Sequence, residues 1–245
     1  MDRRVSEPGP LIGTGRAADV YDIGDGKVLR RYRTDHDSSI EAAAMRAAWA
    51  ADYPVPEVFD ADGRDLVMER LVGPTMLKVL GDRPWRYARI ADELADLHAR
   101  LAALHIDAGG LAGGLDGAVA VRFEPAECLV HLDLHPGNVV LTPRGPVVID
   151  WSNAGMGPRG ADVATTWILL TIGEADDIPA ALRPFVGAIR RRLLRRFLRG
   201  VELPDSAVIR IVAEHRLSDW NLRRGELAEL RRFLEQFASV HNRLP

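Results

Sequence analysis

Short alternating runs dominate the chain up to residue 70, and helical spacing dominates beyond it. Leu11-Ile12 precede Gly13-Thr14-Gly15. Two further runs, Asp19-Val20-Tyr21-Asp22-Ile23 and Lys27-Val28-Leu29-Arg30-Arg31-Tyr32, then flank Gly24-Asp25-Gly26. An Asp-Gly pair between two such runs predicts a β-hairpin. Ser38, followed three residues later by Glu41, predicts a capping box and a helix through the alanines to Ala51. Pro54 and Pro56 end it, and Val58-Phe59-Asp60 with Asp65-Leu66-Val67-Met68-Glu69, split by Asp62-Gly63, predict a second hairpin. From Trp85 to His105, apolar residues at Ile90, Leu94, Leu97, Leu101 and Leu104 predict a long amphipathic helix. A glycine-rich stretch, Gly109 to Gly117, separates it from two short strands near Val139-Val140-Leu141 and Val147-Val148-Ile149. Beyond Asp162 the pattern is helical, with breaks expected at Pro179, Pro184 and Pro204.

Composition narrows the function classes. With 245 residues, 47% apolar and 27% charged, the chain fits one large domain or two lobes sharing an interface. A net charge of −3 gives no electrostatic case for nucleic acid as the main partner. Cys128 is the single cysteine, so no internal disulfide is expected. Met1-Asp2-Arg3-Arg4 leads into Pro and Gly rather than an apolar signal core, and no apolar run is long enough to span a bilayer. The expectation is a cytoplasmic protein with no membrane partner. Only Lys27 and Lys78 are lysines, so a mechanism needing a buried lysine has few candidates. The arginine-rich block Arg190–Arg199 carries its apolar residues at Val186, Ile189, Leu193 and Phe197, one helical stripe, which makes the arginines a solvated outer face.

The informative segment is Val130-His131-Leu132-Asp133-Leu134-His135-Pro136-Gly137-Asn138, followed by Ile149-Asp150-Trp151. It sets oxygen-bearing side chains beside a Pro-Gly turn and at the end of a short apolar strand. Magnesium takes one or two protein carboxylates and completes its octahedron with water and phosphate oxygens, a role that suits Asn138 and Asp150. Asp133 would then be free to orient and deprotonate a hydroxyl.

His131-x-Asp133-x-x-x-x-Asn138 with Asp150 resembles the catalytic loop and metal aspartate of the protein-kinase-like superfamily. His135-Pro136-Gly137-Asn138 with Ile149-Asp150-Trp151 resembles its aminoglycoside phosphotransferase branch, the small-molecule kinases. The resemblance implies an α+β, protein-kinase-like two-lobed fold. Residues 1–70 would form a small β-rich N-lobe with one helix, and residues 71–245 a larger, mostly helical C-lobe, meeting near Glu69–Gly73. Gly13-x-Gly15-x-x-Ala18-x-Val20 follows the glycine-rich loop over the nucleotide phosphates, with Ala18 at the third glycine position. Arg30 falls where the family places a phosphate-binding lysine, and a planar fork there replaces a compact ammonium. Glu41 matches the glutamate that pairs with that cation, and Glu69 and Leu71 match the connector whose backbone holds the adenine edge.

The implied function is magnesium-dependent transfer of the γ-phosphoryl of ATP or GTP to a small-molecule hydroxyl: an aminoglycoside, a sugar or an amino alcohol. The implied catalytic set is Asp133, Asn138 and Asp150, with Asn138 and Asp150 on the metal. Antibiotic resistance is a family-level possibility. A polycationic acceptor needs an acidic wall, for which Glu174, Asp176, Asp177, Glu214 and Asp219 are candidates; the late arginines suit a neutral or anionic acceptor equally. A protein kinase fits poorly, because the apolar run from Val163 begins only a dozen residues after Asp150 and leaves little room for an activation segment. A metal hydrolase built on His131-x-Asp133-x-His135 leaves Asn138 and Asp150 unexplained. A nucleotide-binding regulator without turnover is the alternative.

Overall fold

The computed structural model describes residues 8–15, 17–104, 121–173, 179–217 and 224–241. Strands β1 (Leu11–Thr14), β2 (Ala18–Gly24), β3 (Lys27–Tyr32), β4 (Val58–Asp62) and β5 (Asp65–Glu69) form one antiparallel sheet in the order β1-β2-β3-β5-β4. Both expected hairpins are present. At the first, Gly24, Asp25 and Gly26 all take positive φ, the backbone that a tight Asp-Gly turn requires. Helix α1 (Ser38–Ala50) crosses between β3 and β4 and buries Ala42, Ala43, Ala44, Met45, Ala47 and Ala48. Small side chains let it lie close to its neighbours, and its alanines share one core with Leu94, Leu97, Leu129 and Trp151 from the other lobe.

The start of α1 differs from the capping box. Asp37 is the N-cap, its side chain accepting from Ser39 N at 3.0 Å, while Ser38 is the first helical residue. Ser38 is buried and donates to the Asp65 carbonyl at 2.9 Å, and Glu41 is drawn into contacts with Arg30 and Trp151. The carboxylate one residue upstream was free to cap; Glu41 had stronger partners.

The connector after β5 docks tightly on the second lobe. A Cβ on Gly73 would lie 2.1 Å from the Leu141 carbonyl, so only glycine allows this approach, and Leu141 N donates to Pro74 O at 2.9 Å. A short helix follows, α2 (Met76–Asp82), capped by Thr75, which accepts from Lys78 N at 3.1 Å. The long helix begins as a 3-10 turn over Pro84–Arg86 and becomes α3 over Tyr87–Ala102. His105 and the stretch from Gly109 to Gly117 lie outside the described residues.

Two small ribbons carry the chemistry-bearing segment. Strand β6 (Cys128–Val130) pairs with β9 (Gly155–Gly157), and β7 (Val139–Thr142) pairs with β8 (Gly145–Val148), all antiparallel. Cys128 is buried in β6, its thiol directed at the Gly157 carbonyl 3.6 Å away, and burial pushes its pKa up to about 11. Helices α4 (Ala161–Ile172), α5 (Arg183–Arg199), α6 (Ser206–Leu217) and α7 (Arg224–His241) complete the lobe. Pro184 opens α5 rather than breaking a helix, as proline does in a first turn, where its missing N–H has no helical partner to lose. Ile189, Leu193 and Phe197 are buried along α5 while most of its arginines face outward. Arg190 is the exception: it is half-buried and donates to the carbonyls of Thr171 and Gly173, closing the C-terminus of α4. Among the described residues no helix is long and apolar enough to cross a membrane.

Candidate functional site

The loop after β6 is shaped by left-handed backbone at two residues that are not glycine, Leu132 (φ 60) and, after β8, Asp150 (φ 65). Asp162, in the first turn of α4, holds the first of these in place. Its buried carboxylate accepts from His131 N at 3.0 Å and from Leu132 N at 2.6 Å. Burial raises its pKa to about 6, against the pull of those two amides. The sequence pattern marks Asp162 only as the start of a helical region; its role depends on a tertiary contact across 30 residues.

His131 braces the same loop from the other side. It is fully buried, accepts from Asp133 N at Nδ1 (3.2 Å) and donates from Nε2 to the Ile149 carbonyl (3.0 Å). Burial pushes its pKa down to about 4, so the ring is neutral, as one donor and one acceptor require. It also meets Trp151 edge to face at 4.8 Å. His135 turns back over the loop and accepts from Gly137 N at 3.0 Å. A Cβ on Gly137 would sit 2.6 Å from the His135 ring, so a side chain there would displace the ring.

Asp133, Asn138 and Asp150 come together, as the sequence spacing implies. Asn138 donates from Nδ2 to the Asp133 carbonyl at 2.9 Å and to Asp133 Oδ2 at 3.0 Å, which leaves its Oδ1 outward as an acceptor. Ile149 N donates to the Asn138 carbonyl at 2.9 Å and so brings Asp150 alongside. Burial pushes the Asp133 carboxyl above its ordinary value, opposed by His135 and Arg216, each 3.7 Å from one of its oxygens. Arg216, from α6, has no counterpart in the sequence-level candidate set.

Arg30 and Glu41 also meet. Arg30 Nη1 donates to Glu41 Oε1 at 2.8 Å, and Nη2 donates to Asp150 Oδ1 at 2.7 Å, so one guanidinium spans the α1 glutamate and the Asp150 carboxylate. Burial works against the Arg30 charge, but these two carboxylates hold its pKa above the ordinary value. Burial likewise works against Asp150, whose carboxyl Arg30 nevertheless holds below its usual range. Glu41, completely buried, also accepts from the Tyr32 hydroxyl and from Trp151 N at 3.2 Å. Burial pushes its pKa up, against these donors.

The remaining expected residues lie in the β1–β2 ribbon and in the connector after β5. Gly13 stands opposite Val20 in the β1–β2 ribbon, and Gly15 N donates to Ala18 O at 2.8 Å, which closes the turn. The Glu69 side chain is bound by Arg144 at 2.6 Å. Glu69 N donates to Glu57 O and Arg70 N to Gly26 O, which leaves the Leu71 N–H without a main-chain partner among the described residues. Of the acidic-wall candidates, Glu174, Asp176, Asp177 and Asp219 lie outside the described residues, and Glu214 is exposed on α6.

Residues 115–210, the stretch that holds this loop, match the sequence profile of the phosphotransferase enzyme family. The resemblance to the phosphotransferase family holds. The fold is likewise kinase-like. A choline/ethanolamine kinase family protein from Mesorhizobium loti superposes with a TM-score of 0.53 at 18% identity, covering 96% of this chain and 92% of that one. The aminoglycoside phosphotransferase APH(2")-IIa, solved with streptomycin and ATP, gives 0.53 at 16% identity over 93% of this chain and 90% of its own. The amicoumacin kinase hAmiN, solved with AMP-PNP and Ca2+, gives 0.51 at 13% identity over 96% and 89%. No curated protein matches the sequence. The phosphotransferase-like chain thus keeps this fold at low identity.

Proposed function

We propose that the protein is a small-molecule kinase that moves the γ-phosphoryl group of ATP or GTP to an acceptor hydroxyl, with residues 1–70 and 71–245 as the two lobes around the nucleotide. The single observation that carries this reading is the convergence of Asp133, Asn138 and Asp150 opposite the Arg30–Glu41 pair. Asp133 orients the acceptor hydroxyl and takes its proton. The hydroxyl oxygen then bonds to the γ-phosphorus as the bond to the bridging oxygen breaks, and the nucleoside diphosphate leaves. A carboxyl raised by burial, beside the Arg216 cation that opposes the shift, suits that base. The turn at Gly13–Gly15 covers the phosphates, Arg30 contacts them, and the backbone at Glu69 and Leu71 receives the base.

The donor set fits magnesium. Asn138 Oδ1 is turned outward by its own Nδ2 bonds, and Asp150 has one oxygen on Arg30 and Ser152, which leaves the other open. Magnesium takes few protein ligands, and Asn138 and Asp150 would supply two. When bound, it would supply charge neutralisation on the triphosphate. The protein's own contribution is position and preorganised charge.

Thermal melts with ATP or GTP, each with and without magnesium, test the reading. Nucleotide at a hundredfold its dissociation constant stabilises by about 2.7 kcal/mol, a rise of roughly 5–10 °C for a chain of this size. A magnesium-dependent rise with one nucleotide, followed by acceptor-dependent diphosphate release, is the expected result. No rise with either nucleotide would remove the reading, and a rise without turnover on any acceptor would favour a regulator.

A further inference from the structure

Among the described residues the late helices send one charged side chain to Asp133, and it is a cation. Arg216, near the end of α6, places Nη2 3.7 Å from Asp133 Oδ1, beyond hydrogen-bond distance, and its Nε is buried without a hydrogen-bond partner. Arg30, Arg31 and Arg190, also half-buried, each find carboxylate or carbonyl partners at short range. Arg216 finds no hydrogen bond that short among the described residues: its ion pair to Asp133 is long, at 3.7 Å, and its Nε goes unpaired. Its side chain and that of Asp133, 3.7 Å apart, keep 17% and 21% of their surface exposed, so a ligand could reach both. The opposite oxygen of Asp133 is engaged by Asn138, on the side that carries Asp150 and Arg30. Arg216 therefore stands on the acceptor's side of the base.

We infer that the acceptor carries an anionic group, a carboxylate or a phosphate ester, a few bonds from its reactive hydroxyl, and that Arg216 binds that group. This rests on the phosphotransferase reading and specifies its substrate class. A guanidinium offers paired donors in a plane that match two anionic oxygens, and an incoming anion supplies the partners that the fold withholds. The short distance between Arg216 and Asp133 sets the short separation of anion and hydroxyl. A polycationic acceptor would bring like charge against the same guanidinium. If Arg216 instead only steadied Asp133, or touched the transferred phosphoryl group, its loss would weaken every acceptor by one factor.

The test uses the full chain, ATP or GTP with magnesium, and four groups of acceptors read by diphosphate release. Glycerate, serine and 4-hydroxybutyrate form the carboxylate arm, glycerol 3-phosphate the phosphate arm, glyceramide and glycerol the neutral arm, and choline and streptomycin the cationic arm. The expected result is transfer to an anionic acceptor, with KM raised about 10- to 100-fold by Arg216→Gln. The neutral counterpart should lose far less, and Arg216→Lys should recover part of the loss. The variants' melting temperatures and magnesium-nucleotide shifts report that they fold and bind nucleotide. Three results overturn the inference: transfer confined to the neutral or cationic arm, equal loss on all arms, or no anionic turnover in a protein that binds magnesium-nucleotide. Absence of any nucleotide shift in the parent chain instead removes the phosphotransferase reading, and this inference with it.

Discussion

The two sides of the Asp133–Asp150 cleft are built to different standards. On the Arg30 side the charged groups are closely paired: Glu41 holds Arg30, Tyr32 and the Trp151 amide, and Arg30 spans two carboxylates at 2.8 and 2.7 Å. On the Arg216 side, the contact to Asp133 is 3.7 Å and one guanidinium nitrogen has no hydrogen-bond partner. The first arrangement balances its charges internally. The second is complete only when something else arrives. The difference separates a region whose geometry the fold fixes from one whose geometry a bound molecule would finish.

Substitutions can break that contrast. The largest effect is expected at its midpoint: Asp133→Asn should lower transfer by about 10²- to 10⁴-fold while leaving magnesium-nucleotide affinity nearly unchanged. Asp150→Asn should instead weaken magnesium-nucleotide binding; titration of both variants checks the division, and equal loss of nucleotide binding would sink it. Next is the closely paired side. Glu41→Ala leaves the buried Arg30 with Asp150 alone, and the expected cost is about 3–5 kcal/mol, a fall of roughly 6–20 °C in melting temperature. A fall of under a few degrees would mean that Arg30 and Glu41 are not paired in solution.

The smallest effect sharpens the comparison through the supports beneath both sides. His98 and His131 are buried with pKa values pushed down to about 4, whereas an unfolded histidine titrates near 6.5. Their contribution is fully present above about pH 6.5 and is lost as the pH falls toward 4, on the order of 3 kcal/mol for each. Asp162 has the opposite sign. Its pKa of about 6 means that the folded chain takes up a proton before the unfolded one does, which offsets part of that loss. Melts across this window should show falling stability with acidification, and His98→Gln should flatten the slope. A slope left unchanged by His98→Gln would place that ring in contact with solvent.

Much of this was legible in the sequence because the relevant signals are local. Asp-Gly pairs between alternating runs specify the two hairpins, and Asp133, Asn138 and Asp150 lie within one short segment whose turn fixes their spacing. The pairing of Arg30 with Glu41 is nearly as local, a strand end facing the first turn of the next helix. Illegible were the features decided by competition or by distant packing. Whether Asp37 or Ser38 caps α1 depends on what else attracts Glu41. Strands β6 and β9 are three residues each, too short for a periodic signal. Asp162 and Arg216 sit in ordinary-looking helices, and only the tertiary fold brings them to the loop around Asp133.

Cys128 has a practical consequence. The chain has one thiol, sealed in β6 and held protonated by burial, which makes it a poor target for alkylating reagents. A cysteine added on an exposed face would therefore react alone. Two dyes attached this way, one on the β1–β2 turn and one on α6, would report the distance between the lobes in real time. The native thiol would remain silent, and the order in which the two ligands arrive could be read directly from the light.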